Sequence, residues 1–265
     1  MKKLLALTLV LALTVVCTAF AETESKDLLA RIQERGTLII GTEGNWDPWT
    51  YHDENDILTG LDVEIGKRLA AYIGVEAEFA EAEWSGLLDG VKAGRFDIVC
   101  NGVGYTATRA EVYSFSTPYV YSGKYLIVRA DNEEIATLED LDGKTTAASP
   151  SSTYAMLAEA NGATVNYTES FQDCVQQLEQ GRVDALINSK ASFESYMAAH
   201  PEANIKVAAV LPGDPVAFPM DNTEDAASLV EAVNAALDEM RADGSLAELC
   251  VQFMGEDLTS EIPED

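Results

Sequence analysis

The sequence has few basic residues for its length. Its 265 residues include 17 Lys and Arg against 45 Asp and Glu, which gives a formal net charge of −28 at pH 7. A surface of this sign repels polyanions, so the composition argues against binding to nucleic acid or to anionic membranes. The acidic excess fits a cationic ligand or simply a solvated, self-repelling surface.

Histidine and cysteine are also scarce, and their spacing does not suggest a metal site. The two histidines, His52 and His200, have no partner at helical spacing. Cys17 lies in the N-terminal segment, and the other three cysteines match no metal-binding spacing. We expect these three to be small buried hydrophobic side chains, and we predict neither a metal nor another cofactor.

Long apolar runs are absent beyond the N-terminus. Lys2 and Lys3 precede the apolar stretch 4–16, and Ala19-Phe20-Ala21 then resembles a cleavage site. This pattern is typical of a secretory signal peptide, so we expect residues 1–21 to be removed and the protein to be periplasmic. Lipid attachment at Cys17 is the alternative, although Val16 is bulky for that signal. No later run approaches the roughly 18 residues that span a bilayer.

Strand and helix patterns alternate through the rest of the chain, which predicts α/β architecture with parallel sheets covered by helices. A phrase also repeats: a helix end, a glycine, an arginine and an aspartate that opens a strand occur in 91–98 and again in 178–185. We therefore expect two similar α/β halves. Strands are predicted near 38–40, 75–79, 98–100, 125–128, 145–148, 164–167 and 183–188, and helices near 63–73, 86–93, 154–160, 171–180, 225–242 and 246–254.

Residues 97–109 are the most informative stretch. A short apolar strand breaks at Asn101-Gly102-Val103-Gly104, where glycines let backbone groups approach a ligand. Thr106 is a good helix N-cap, and amides at a helix start favour an anion. Arg109 adds a planar fork that can hold a carboxylate through two hydrogen bonds. The segment predicts a pocket for a small carboxylate, although a plain strand–turn–helix junction has the same pattern.

The chain resembles the amino-acid-type periplasmic solute-binding proteins of ABC importers. The resemblance extends over the whole chain after the signal peptide. It rests on a series of phrases in the family's order: Gly41-Thr42-Glu43, Trp46-Asp47-Pro48-Trp49, Gly60-Leu61-Asp62-Val63-Glu64, Trp84-Ser85-Gly86-Leu87, the segment 97–109, Phe115-Ser116-Thr117-Pro118-Tyr119, 138–144 and 236–244.

The resemblance implies a two-lobed type II fold, with a mostly parallel, helix-flanked sheet in each lobe and two crossover strands as the hinge. On this sequence the first lobe would comprise 22–121 and 216–265, and the second lobe 122–215. The lobes would close on a ligand like a hinged trap.

The resemblance also implies roles for individual residues. Arg109 would hold the α-carboxylate of the ligand, assisted by backbone amides near Gly104 and Thr153. Trp46 and Trp84 would place aromatic rings on the ligand side chain, and Glu43 would contact its far end. The remaining predicted binding residues are Asn101, Gly102 and Ser152, with Ser189 at the position where the family commonly has an aspartate.

Two departures leave the amine end of the ligand undetermined. The family commonly supplies a hydroxyl at the position of Gly104 and a carboxylate at that of Ser189, and both help to hold the α-ammonium group. Either Glu43, Asn188, Glu194 or another group compensates, or the ligand is not a standard α-amino acid.

We expect a non-enzymatic, monomeric binding protein that captures a small carboxylate-bearing nutrient and delivers it to a membrane ABC permease. The alternative is a dehydratase-type enzyme, because a few relatives with this fold act on cyclic carboxylic acids. The sequence contains no nucleophile–base constellation that would support catalysis.

Overall fold

The computed structural model describes residues 27–260 and shows an α/β protein. The predicted signal peptide and Cys17 lie outside the described residues. The helices are α1 (Leu28–Arg35), α2 (Leu61–Ile73), α3 (Trp84–Lys92), α4 (Ala107–Ala110), α5 (Thr153–Ala160), α6 (Phe171–Glu179), α7 (Lys190–Ala199), α8 (Ala227–Ala242) and α9 (Ser245–Met254). Single 3-10 turns occur at Glu139–Leu141 and Glu224–Ala226.

The strands form two five-stranded sheets and one small sheet. They are β1 (Thr37–Thr42), β2 (Asn45–Trp46), β3 (Thr50–His52), β4 (Leu58–Thr59), β5 (Glu76–Glu81), β6 (Ile98–Val99), β7 (Tyr113–Phe115), β8 (Val120–Arg129), β9 (Thr145–Ala148), β10 (Thr164–Tyr167), β11 (Ala185–Ser189), β12 (Ile205–Val216) and β13 (Pro219–Asp221).

The two large sheets have equivalent strand orders, one in each lobe. The first lobe has the order β5-β1-β6-β13-β7, and the second has β10-β9-β11-β8-β12. In each sheet the first three strands are parallel, and they alternate along the chain with helices. The repeated phrase therefore marks two similar α/β halves, and the predicted two-lobed α/β fold is confirmed.

Both sheets are mostly parallel, as expected, with one strand in each that runs antiparallel to the other four. Strand β13 is antiparallel to β6 and β7, and β8 is antiparallel to β11 and β12. These two strands follow the connections between the lobes. Strand β8 enters the second sheet from the first lobe, and β13 comes after β12, the strand that returns to the first lobe. Each therefore runs antiparallel to both of its neighbours in the sheet.

Strands β8 and β12 connect the lobes. They pair antiparallel from Arg129 opposite Ile205 to Val120 opposite Val216, with the register shifted at two places. The lobe boundaries predicted after residues 121 and 215 fall within these two strands and stay predictions.

Apolar periodicity explains the helices that cover the sheets. In α2, the side chains of Leu61, Ile65 and Leu69 recur every fourth residue and are fully buried. The helix ends at Gly74, whose φ of 86° is the left-handed conformation that glycine adopts without strain. Within residues 27–260, no helix is long and apolar enough to cross a membrane.

Candidate ligand-binding cleft

A cleft of about 540 Å³ lies between the two lobes. The residues that line it follow the carboxyl ends of parallel strands, which is where open α/β sheets bind ligands. Eight of the ten predicted binding residues line it: Glu43, Trp46, Trp84, Gly102, Gly104, Arg109, Ser152 and Thr153. Asn101 and Ser189 do not. The cleft is further lined by Asn45, Ser149, Tyr154, Glu169, Ser170, Phe171, Cys174 and Asn188.

Hydroxyl caps fix three helix starts around the cleft. Thr106 accepts a hydrogen bond from the backbone N–H of Arg109, as its predicted N-cap role requires. Ser152 and Ser170 cap α5 and α6 in the same way. Because an N-cap satisfies backbone N–H groups that lack helical partners, these serines set where each helix begins at the cleft.

Arg109 is 7% exposed and joins the lobes. Its Nη1 donates to the carbonyl oxygen of Gly104 at 2.7 Å, and its Nη2 donates to that of Ser151, in the other lobe, at 2.9 Å. The guanidinium carbon lies 5.4 Å from the ring centre of Trp84. Two of the five guanidinium N–H groups are used in these bonds within residues 27–260, which leaves the others for a ligand carboxylate.

Glu43 is held from behind by Asn101, which is fully buried. The Asn101 side-chain oxygen accepts from the backbone N–H of Glu43 at 2.7 Å, and its amide nitrogen donates to the Glu43 carboxylate. Asn101 was predicted to bind the ligand, and the structure places it behind Glu43 instead. Burial raises the pKa of Glu43 to about 7, with the Asn101 bond opposing the shift and Glu169 and Glu83 adding to it.

The geometry of the cleft agrees with the comparisons with known proteins. Residues 38–256 match the bacterial extracellular solute-binding proteins, family 3. The chain belongs to this family. It is 34% identical over 261 residues to a probable amino-acid ABC transporter-binding protein of Haemophilus influenzae, an alignment that covers 98% of this chain and all of the relative.

Further relatives are also amino-acid-binding proteins. The chain is 36% identical over 267 residues to the L-cystine-binding protein TcyA of Bacillus subtilis, which covers 97% of this chain and 99% of the relative. A solved structure of an ancestral arginine-binding protein bound to arginine matches with a TM-score of 0.78 and 31% identity, covering 83% of this chain and 99% of that chain. The predicted family is confirmed, and the protein is an extracellular solute-binding protein.

Gly104 brings the two lobes of this solute-binding protein close together. A Cβ atom at Gly104 would lie 3.2 Å from Cγ2 of Thr153, which belongs to the second lobe. Such a contact is tighter than most in proteins, so a side chain at this position would require Thr153 to shift by a few tenths of an ångström.

Ser189 lies behind the cleft, not in its lining. It is fully buried and caps α7, and its hydroxyl accepts from the indole Nε1 of Trp49 at 3.3 Å. Of the suggested replacements for the missing aspartate, Asn188 lines the cleft. Glu194 lies outside the lining and is paired with Tyr125 and Lys190.

Glu169 is the acidic cleft residue that the sequence did not single out. It follows β10 in the second lobe and lines the same cleft as Glu43, so two carboxylates face the cleft from opposite lobes. Its Oε2 accepts from the backbone N–H of Ser85, in the first lobe, at 3.4 Å.

The sequence repeat contained a signal for the aromatic lining. Trp84 precedes Gly94 by ten residues, and Phe171 precedes Gly181 by the same spacing. Both side chains line the cleft, so extending the repeat toward the N-terminus would have found Phe171. Trp84 donates from Nε1 to the carbonyl oxygen of Pro150 at 2.9 Å, which adds a second bond between the lobes.

Among the described residues, no group of three or more His, Cys, Asp or Glu side chains is arranged to hold a metal ion. Cys100, Cys174 and Cys250 are buried and unpaired within the same range.

Proposed function

We propose that this solute-binding protein captures a free α-amino acid and delivers it to the membrane permease of an ABC importer. The observation that carries the proposal is the buried Arg109 at one side of a cleft that also holds the carboxylates of Glu43 and Glu169. A guanidinium pairs with a carboxylate through parallel charge-assisted hydrogen bonds. Opposite charges facing one small cleft suit a dipolar ligand.

In the pose that we propose, the α-carboxylate of the ligand binds Arg109 and its α-ammonium faces the two glutamates. Glu169 supplies from the second lobe a charge that the family's aspartate would supply at the position of Ser189. Trp46 and Phe171, which line the cleft, would lie beside the ligand side chain. The names of the relatives, which include amino-acid and cystine binders, support this ligand class.

We further propose capture without chemical conversion, because the family and these relatives are named for binding and transport. Export by the segment 1–21, with cleavage after Ala21, and a monomeric state belong to the same proposal. The mass of the secreted protein tests the cleavage site, and light scattering after gel filtration tests the monomer.

A thermal-shift panel of α-amino acids and their methyl esters tests the ligand class. A ligand at one hundred times its Kd stabilises the folded state by about 2.7 kcal/mol. We expect at least one free amino acid to raise the melting temperature and its methyl ester, which lacks the carboxylate charge, to do so much less. No shift with any amino acid, or equal shifts with acid and ester, would contradict the proposal. Product detected by mass spectrometry would favour the dehydratase alternative.

A further inference from the structure

A second cavity, open to solvent, adjoins the ligand cleft. The two cavities share Asn45, Trp46 and Phe171 as lining residues. The rest of the second cavity, called here the distal chamber, is formed by Asp47 of the first lobe, Gln172 of α6 and one face of α7. Both lobes therefore contribute to the chamber, as they do to the cleft.

The distal chamber contains a buried hydroxyl without a partner. Ser192 is 1% exposed, and its Oγ makes no hydrogen bond within residues 27–260. A buried polar atom that lacks a partner is unfavourable, and such atoms in folded proteins call for an explanation. Because Ser192 lines the chamber, rotation of its side chain would let a ligand group supply the missing partner.

Asp47 gives the chamber its charge. Its Oδ2 accepts from the hydroxyl of Ser195, in the other lobe, at 2.7 Å. Its Oδ1 makes no bond within the described residues, so it remains free to accept from a ligand. His200 also lines the chamber, and its ring centre lies 4.5 Å from that of Tyr196. A carboxylate beside hydroxyl and amide groups favours a hydrogen-bond donor over an anion.

We propose that the distal chamber is a subsite for the far end of an elongated amino acid. The end group that suits it is a hydrogen-bond donor, best an ammonium, held by Asp47 and the Ser192 hydroxyl. The side chain would pass the residues shared by the two cavities. This inference rests on the proposed function, since it needs the α-carboxylate to be held at Arg109.

Three ligands separate length from charge in a calorimetric test at pH 7.5: lysine, norleucine, which lacks the terminal ammonium, and alanine, which is too short. We expect lysine to bind at least about tenfold more tightly than norleucine or alanine, as a charge-assisted bond would give. Asp47→Asn should raise the Kd for lysine about tenfold and leave that for alanine within about twofold.

Ser192→Ala tests the hydroxyl with little risk to folding, because the deleted atom has no partner. We expect the Kd for lysine to rise about fivefold and the melting temperature without ligand to stay equal or increase. Ser228→Ala is the matched control, because the Ser228 hydroxyl is also buried and unpartnered but lies on α8, outside the chamber lining. It should leave the Kd for lysine unchanged.

The outcomes distinguish the two proposals. If alanine and lysine bind equally, or if neither Asp47→Asn nor Ser192→Ala alters their Kd ratio, the chamber proposal is overturned and the proposed function stands. If no amino acid binds the unmodified protein, the proposed function itself fails and the chamber proposal fails with it.

Discussion

Glu43 is a carboxylate that changes charge near neutral pH. Its burial beside Glu169 raises its pKa to about 7, well above the ordinary value of 4.5. In the protein without ligand, Glu43 has a higher pKa in the folded state than in the unfolded chain. Its contribution to the free energy of unfolding is therefore fully present below the unfolded-state pKa and is lost as the pH rises through 7. A ligand ammonium reverses the preference, because it favours the ionised carboxylate.

Ligand affinity should therefore increase with pH around neutrality. With a pKa of about 7, about a tenth of Glu43 is ionised at pH 6 and about nine tenths at pH 8, so the Kd should fall about tenfold over this range. Calorimetry at both pH values measures it. Glu43→Gln should bind more weakly at pH 8 and lose most of the pH dependence. An unchanged pH profile in that variant would assign the dependence to another group.

A substitution at Gly104 tests whether ligand binding needs close contact between the lobes. In Gly104→Ser the new Cβ would meet Cγ2 of Thr153, 3.2 Å away. The closed arrangement should then be disfavoured, and we expect ligand affinity to fall about tenfold, the equivalent of about 1.4 kcal/mol. Adding Thr153→Ser removes Cγ2 and should restore most of the affinity. If the double variant binds no better than Gly104→Ser, steric contact with Thr153 is not the cause.

Asp62 connects α2 with the cleft and with the start of β8. It is fully buried, and its carboxylate accepts from the Gly102 N–H and from the Tyr119 hydroxyl. Burial raises the pKa of Asp62 to about 7, against the effect of these two hydrogen bonds. The Tyr119 ring stacks on Phe218, with ring centres 4.1 Å apart. This hydrogen-bond network links the turn at Gly102, which lines the cleft, to the start of β8, which connects the lobes.

Tyr119→Phe should destabilise the protein more at pH 8 than at pH 5. The ring stack stays, but the hydroxyl bond is lost, and that bond is strongest when Asp62 is ionised. We expect about 1–3 kcal/mol at pH 8 and less at pH 5, measured by urea unfolding. Tyr72→Phe, on the exposed side of α2 with its side chain 45% exposed, is the control and should have little effect. Equal losses of unfolding free energy at both pH values would show that the effect of Tyr119→Phe does not depend on ionisation of Asp62.

Elements with a regular apolar pattern could be predicted from the sequence, and irregular ones could not. The buried residues of α2 repeat with helical period, so its position was found. Strand β12 contains Pro212 and Pro215, which usually indicate a loop. It tolerates them because it is the edge strand of its sheet, where fewer backbone N–H groups must pair, and because its register shifts nearby. Helix α7 lacks a clear apolar period and was not predicted.

The candidate binding residues could be predicted where several of them lie in one short segment of the sequence. Arg109, Gly102 and Gly104 belong to one strand–turn–helix phrase and were found from it. Glu169 lies outside that segment and was not singled out, although it follows the carboxyl end of the parallel strand β10. Ser189 was assigned to the ligand by family position, and the structure shows it capping α7 behind the cleft instead.

The two lobes meet directly across the cleft. Besides the Arg109 and Trp84 bonds, Lys190 of the second lobe pairs with Glu256 of the first at 2.6 Å. Exposed ion pairs contribute little individually. A ligand that contacts both lobes would add to these bonds in the closed form only, and would therefore shift the equilibrium between open and closed forms toward closure.

Calorimetry on Arg109→Ala tests most directly whether this cleft holds an amino acid by its carboxylate. The ligand is an amino acid that stabilises the unmodified protein, and Arg182→Ala, which removes an exposed arginine, is the matched control. We predict that Arg109→Ala weakens binding about a hundredfold or more, since a bidentate charge-assisted pair is lost, while Arg182→Ala binds normally. An unchanged Kd in folded Arg109→Ala protein would contradict the proposed site.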